Sequence, residues 1–96
     1  AGIEYTFTLN NEPGHRVLEV KIESPNGDQV AINTDDTYRV ATNHVVGAGG
    51  DGYSVFTAAS HGEDLGYVDY EIFTEQLKNL GNKVSPKVEG RIKEVF

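Results

Sequence analysis

Ile3-Glu4-Tyr5-Thr6-Phe7-Thr8-Leu9 puts an apolar side chain at every second position, the period of a strand with one buried face and one wet face. A helix would scatter those four side chains around its circumference, so this run commits the chain to a sheet. Outward from it, Pro13-Gly14 breaks the pattern with a pair suited to the centre of a type II turn. Arg16 to Glu23 then resumes alternation, with Leu18, Val20 and Ile22 on one side and Glu19, Lys21 and Glu23 on the other. Two such runs joined by a short loop pair antiparallel. Pro25-Asn26-Gly27-Asp28 is the next break; Asn-Gly is a strong hairpin signal because both residues tolerate positive φ. A brief strand over Gln29-Val30-Ala31-Ile32 follows, then a polar turn at Asn33 to Asp36. Thr37-Tyr38-Arg39-Val40-Ala41-Thr42-Asn43 alternates once more and reads as a further strand. Val88 to Val95 reads as the last, with Gly90 marking a bulge or a close backbone approach and Glu89, Arg91 and Lys93 on one solvent-facing or edge side.

One stretch carries helical rather than strand spacing. In Asp69 to Leu80 the residues Tyr70, Phe73, Leu77 and Leu80 recur on one face, Asp69 is placed to cap the start, and Gly81 is placed for the left-handed position after the end. Ser60-His61-Gly62-Glu63-Asp64-Leu65-Gly66, just before it, has the composition of a mobile surface loop. The expected architecture is α+β: an antiparallel to mixed sheet of about five strands with one main helix packed on one face, residues 1–96 forming a single unit.

Between the Tyr38 strand and the helix lies Gly47-Ala48-Gly49-Gly50-Asp51-Gly52-Tyr53, with four of the chain's eleven glycines in six residues around one acid. Such backbone takes positive φ and admits a partner closer than a Cβ would allow. Asp51 is therefore either a presented functional carboxylate or a turn-forming side chain in a tight connection. The spacing Gly47-x-Gly49-x-x-Gly52 matches a dinucleotide fingerprint only formally, since no helix of a parallel βαβ unit opens there. A phosphate loop is excluded because no Lys-Ser or Lys-Thr pair follows.

Composition narrows the function classes. The net charge is -7, with no cluster of Lys or Arg longer than a pair, which argues against binding a nucleic-acid polymer. There is no long apolar run to insert into a membrane. Cysteine is absent, which removes disulfides and thiolate metal sites, and methionine is absent even at position 1, as expected of a cut piece or a processed product. His15, His44 and His61 sit in three separate segments without ligand spacing, so no metal site is expected. Ser54 and Ser60 have no evident base and orienting partner, and Asp35-Asp36 and Glu63-Asp64 read as turn and loop residues. No catalytic residue is assigned.

Tyr38-Arg39-Val40-Ala41-Thr42-Asn43, the Gly49-Gly50-Asp51-Gly52-Tyr53 run and Val88-Glu89-Gly90-Arg91-Ile92-Lys93 resemble the C-terminal domain of the 5'-nucleotidases. Ala1-Gly2-Ile3 and Pro13-Gly14-His15-Arg16-Val17 are similar to that family in the same order. The resemblance spans nearly the whole chain and corresponds to the second half of the family's C-terminal domain. It implies a parent that is a secreted or surface-held hydrolase, extracellular, periplasmic or on the cell surface, cleaving phosphate from nucleotides. Divalent metal ions would lie in that parent's catalytic domain, a partner within the same polypeptide, with no cofactor in this chain.

By the same resemblance the domain recognises a nucleoside or nucleotide, and the acid that bonds the sugar corresponds to Asp51. Gly49, Gly50 and Gly52 would allow close approach. The family's usual aromatic six residues before the acid is replaced here by Val45, so Val45 with His44 would form a reduced base wall. Asn43-His44 is similar to a metal-binding dipeptide of the family's catalytic domain, but its place in the strand entering the glycine loop makes it a coincidence. Two alternatives stand beside this reading: a structural or interaction module, and a relative with altered substrate, such as a cyclic-nucleotide phosphodiesterase or a thiosulfohydrolase.

Overall fold

The alternating run forms strand β1 over Ile3–Phe7, and the resumed alternation forms β2 over Val17–Glu23. In this computed structural model, which describes residues 2–59 and 62–96, the two pair antiparallel with Ile3 opposite Ile22 and Tyr5 opposite Val20. The turn between them is closed by the His15 N–H donating to the Glu12 carbonyl at 3.0 Å, and Gly14 takes φ +90°. Pro13-Gly14 thus occupies the turn centre as its chemistry requires. A register shift after Thr6 sets Phe7 opposite Val17. Thr8, just beyond, is buried; its N–H donates to the Arg16 carbonyl at 2.9 Å and its Oγ1 accepts from the Asn10 N–H at 3.2 Å.

Strand β3, Gln29–Ala31, pairs antiparallel with β2, placing Val30 opposite Ile22. Its turn differs from the expected one, because only Gly27 takes positive φ, at +89°, and Asn26 does not. Pro25, with φ held at about −65°, cannot enter the mirror-image turn and leaves the left-handed position to Gly27. Strand β4, Ile92–Glu94, runs parallel to β1, with Tyr5 opposite Ile92. The order is β3-β2-β1-β4, a mixed four-stranded sheet in an α+β fold.

The α+β class and mixed sheet are as expected, with four strands observed against about five. Tyr38 to Asn43 forms no strand, and no strand of the sheet pairs with it. Alternation supplies a face but does not by itself make a strand pairing, and Val40, which would have faced inward, is 63% exposed.

Contacts divide the chain into two compact units, Ala1–Thr37 with Pro86–Phe96, which holds the sheet, and Tyr38–Ser85. In the first, opposed residues share a face, so Ile3, Tyr5, Val20, Ile22, Val30 and Ile92 line one side, while Glu4 opposite Lys21 and Thr6 opposite Glu19 line the other. Burial is greatest at the sheet centre: Tyr5, Phe7, Val20 and Ile22 are half-buried, whereas Val30 and Ile92 on the outer strands are exposed. No hydrophobic side chain among the described residues is fully buried.

The second unit contains a short helix α1, His44–Gly47, two 3₁₀ segments, Gly50–Gly52 and Ser54–Ala58, and the main helix α2, Asp69–Asn79. The residue before α2 is Val68, so Asp69 is the first helical residue rather than the cap, its Oδ1 accepting the Tyr70 N–H at 2.7 Å. At the other end the Gly81 N–H donates to Lys78 at 3.0 Å and the Asn82 N–H to Leu77 at 2.9 Å, with Gly81 at φ +75°. This pair of bonds is the Schellman ending that the Leu80-Gly81 step implied. Of the helical stripe, Leu77 is half-buried and Tyr70, Phe73 and Leu80 are exposed. Ser60 and His61, which open the expected mobile loop, lie outside the described residues; within its remainder the Gly66 N–H donates to Asp64 Oδ1 at 2.8 Å. Among the described residues no helix is long and apolar enough to cross a membrane.

Candidate functional site

The glycine-rich segment is organised from Asn43. Its backbone is extended, at φ −77° and ψ 169°, and its side-chain Oδ1 accepts the Val46 N–H at 2.9 Å, the geometry of a helix N-cap. The Asn43 carbonyl takes the Gly47 N–H and the His44 carbonyl takes the Ala48 N–H, each at 3.0 Å. His44 and Val45 therefore stand in the first turn of α1, not in a strand entering the loop. A short polar side chain that can bond its own backbone competes with strand pairing, and here it prevails.

Beyond α1 the chain reverses through left-handed conformations at Gly49 (φ +92°), Asp51 (φ 54°, ψ 28°) and Gly52 (φ +82°). The Tyr53 N–H donates to the Gly50 carbonyl at 3.1 Å, closing the turn around Asp51. Positive φ is uncommon in a non-glycine residue, and aspartate is among the few that enter that region readily. The Asp51 carboxylate is exposed and makes no hydrogen bond or ion pair with any described residue. Next to it the Tyr53 and Phe56 rings stack, 6.1 Å between centroids and 22° between planes.

Each glycine answers a different need. A Cβ on Gly50 would lie 2.6 Å from Val45 Cγ1 and 2.7 Å from the Val45 carbonyl oxygen, and one on Gly49 would lie 2.9 Å from Thr57 Cγ2. At Gly52 nothing stands within 4 Å, so only its φ requires glycine. The α-carbons of Gly49 and Gly50 thus face their own chain. Val45 packs on Gly50 while its side chain stays 57% exposed, and His44 is exposed beside it. The structure brings His44, Val45, Gly49, Gly50, Asp51 and Gly52 into one continuous segment. It gives Asn43, which sequence reading notes as half of the Asn43-His44 dipeptide, the role of a helix cap, and it adds Thr57, for which the sequence offers no signal.

Among the described residues no three His, Cys, Asp or Glu side chains gather as a metal set. Two surface hollows lie elsewhere, one along α2 beside Tyr70 and Lys78, the other across β1, β2 and β4 beside Lys21 and Arg91.

With this geometry in view, the sequence profile described as 5'-nucleotidase, C-terminal domain, matches residues 1–58. The chain belongs to that family. It is 94% identical over 96 residues to the trifunctional nucleotide phosphoesterase protein YfkN of Bacillus subtilis, covering 100% of this chain and 7% of that protein. It is 33% identical over 95 residues to the snake venom 5'-nucleotidase of Crotalus adamanteus, covering 96% of this chain and 16% of the venom protein. The crystal structure of a 5'-nucleotidase precursor from Thermus thermophilus superposes with a TM-score of 0.90 at 35% identity, over 99% of this chain and 18% of that one. The chain thus spans a small part of the relatives it matches. The Asn43–Ala58 segment falls inside the matched profile, whereas α2 and β4 lie beyond it and are held in common with the Thermus thermophilus structure.

Proposed function

We propose that this chain is the nucleoside-recognising part of a larger, nucleotide-hydrolysing protein in which another domain, carrying divalent metal ions, performs the hydrolysis. The observation that carries the proposal is the Asp51 carboxylate, exposed, without a hydrogen-bond or ion-pair partner among the described residues and set in a left-handed turn within a 5'-nucleotidase C-terminal domain. In this role Asp51 accepts a hydrogen bond from a sugar hydroxyl. Val45 and His44, six and seven residues earlier in α1, border the base with aliphatic and imidazole surface, and Gly52 leaves open space beside the acid. The similarity to a protein named a nucleotide phosphoesterase supports a nucleotide as the substrate. An extracellular, periplasmic or cell-surface location belongs to the same proposal, supported by the venom origin of the Crotalus adamanteus relative.

A second reading, a structural module with the loop as a connection, is favoured by one observation: Gly49 and Gly50 are filled by Thr57 and Val45 rather than open to a ligand. One experiment separates the two. The protein carrying this chain joined to its catalytic domain is titrated with adenosine, cytidine and uridine, with and without Asp51→Ala. A bond to a charged acceptor contributes about 1.5–3 kcal/mol, so the substitution weakens nucleoside binding about tenfold to 150-fold. Unchanged affinity for all three nucleosides assigns the loop to the structural reading.

A further inference from the structure

Thr57 is an exposed residue of the second 3₁₀ segment, outside the Gly-Gly-Asp run, and both branches of its side chain are engaged. Its Oγ1 donates to the Ser54 carbonyl at 2.7 Å. Its Cγ2 occupies the open face of Gly49, 2.9 Å from where a Cβ would stand, and that same point lies 3.8 Å from the Ser54 Cα. Gly49 and Ser54 are the two ends of the segment that carries Asp51. A hydroxyl bonded three residues back is common in short helical turns and by itself signifies little. What distinguishes Thr57 is that the same Cβ sends its methyl to the start of the segment and its hydroxyl to the end, so one β-branched side chain of restricted χ1 ties both.

We infer that Thr57 is a positioning residue that holds the Asp51 carboxylate in place for its ligand by clamping Gly49 and Ser54 together. The inference rests on the nucleoside-recognition reading above. Threonine suits the role because serine lacks the methyl and valine lacks the hydroxyl. Asp51, flanked by left-handed glycines at 49 and 52, depends on such a brace for a defined direction.

The test is steady-state kinetics of the protein carrying this chain with its catalytic domain, on a panel of nucleoside 5'-monophosphates. The variants are Thr57→Ser, Thr57→Val and Thr57→Ala, each made with Asp51 intact and with Asp51→Ala. A lost positioning contact weakens ground-state and transition-state binding alike, so KM rises while kcat holds. Thr57→Ala is expected to raise KM about threefold to tenfold, the scale of one hydrogen bond, with Thr57→Ser and Thr57→Val in between. In the Asp51→Ala background Thr57→Ala adds no further rise, because the group it positions is gone. An equal rise with and without Asp51, or no rise in any Thr57 variant, overturns the inference and leaves the nucleoside site standing. If Asp51→Ala alone leaves KM unchanged, the recognition reading fails and this inference fails with it. Thr57→Ser, which removes a single methyl from an exposed position, keeps the measurement available should Thr57→Ala fail to fold.

Discussion

Gly50→Ala is the sharpest perturbation of the loop. The added methyl would stand 2.6 Å from Val45 Cγ1 and 2.7 Å from the Val45 carbonyl oxygen, where carbon atoms ordinarily approach to about 3.5–4.0 Å. The two overlaps differ in kind. Cγ1 belongs to a half-exposed valine that can change rotamer, whereas the carbonyl belongs to the first turn of α1 and moves only if that turn moves. Relief therefore requires α1 to shift against the Gly50–Gly52 turn, a small-to-large change of the sort that costs about 1–3 kcal/mol.

Native-state hydrogen exchange reads this locally at the Ala48 and Tyr53 amides, which donate to His44 and to Gly50 itself. Both are expected to exchange about fivefold to 150-fold faster. Adding Val45→Ala removes the Cγ1 overlap and leaves the carbonyl, so it restores less than half of the lost protection. Wild-type exchange in Gly50→Ala, or complete rescue by Val45→Ala, would refute the close approach of the two backbones.

Three further outcomes follow from the same structure. Asn43→Ala removes the acceptor of the Val46 N–H and is expected to cost about 0.5–2 kcal/mol of local stability at α1, while Asn43→Asp, which keeps the oxygen, stays close to wild type; exchange of the Val46 amide measures both. Gly81→Ala meets no steric obstacle but places an L-residue at φ +75°, so the Asn82 amide bonded to Leu77 should lose about 1–2 kcal/mol of protection. Lys21→Ala breaks the 3.4 Å pair with Glu19, whose side chains are 40% and 56% exposed, and should shift urea unfolding by less than about 0.5 kcal/mol.

How much of this could be read from the chain depends on where each instruction is written. Ile3 to Phe7 and Val17 to Glu23 were legible because alternation and a Pro-Gly turn act on the same stretch and agree. Leu80-Gly81 was legible because the left-handed ending is a property of glycine itself. Thr37 to Asn43 misleads for the opposite reason: its alternation is not matched by a strand pairing, while Asn43 carries a local instruction to cap a helix. Pro25 likewise overrides Asn26-Gly27, since a fixed φ outranks a tolerated one. At the site, Asp51 and its glycines stood out by composition, but the contacts that make Gly49 and Gly50 necessary did not. They depend on Val45 and Thr57 side chains whose direction follows from helical turns that the alternation concealed.

The two parts of the fold are also specified at different ranges, and that bears on what Asp51 can do. Sheet strands β1 and β4 meet across more than eighty residues of chain, and on the sheet's apolar face Ile3, Val30 and Ile92 are exposed. The loop is held otherwise: Asn43 to Val46, Val45 to Gly50, Gly50 to Tyr53 and Gly49 to Thr57 each span eight residues or fewer. Contacts so close in sequence form without waiting for a distant surface, because little loop-closure entropy opposes them. The backbone turn that carries Asp51 is therefore encoded within residues 43–58. On the proposed recognition reading, groups that complete a ligand pocket would meet an acid whose backbone is already set, which lowers the ordering cost of binding at that one contact. On this view the distance from Asn43 to Thr57 in sequence, rather than the length of the sheet, sets how much chain a transplanted loop must carry to keep its acid oriented.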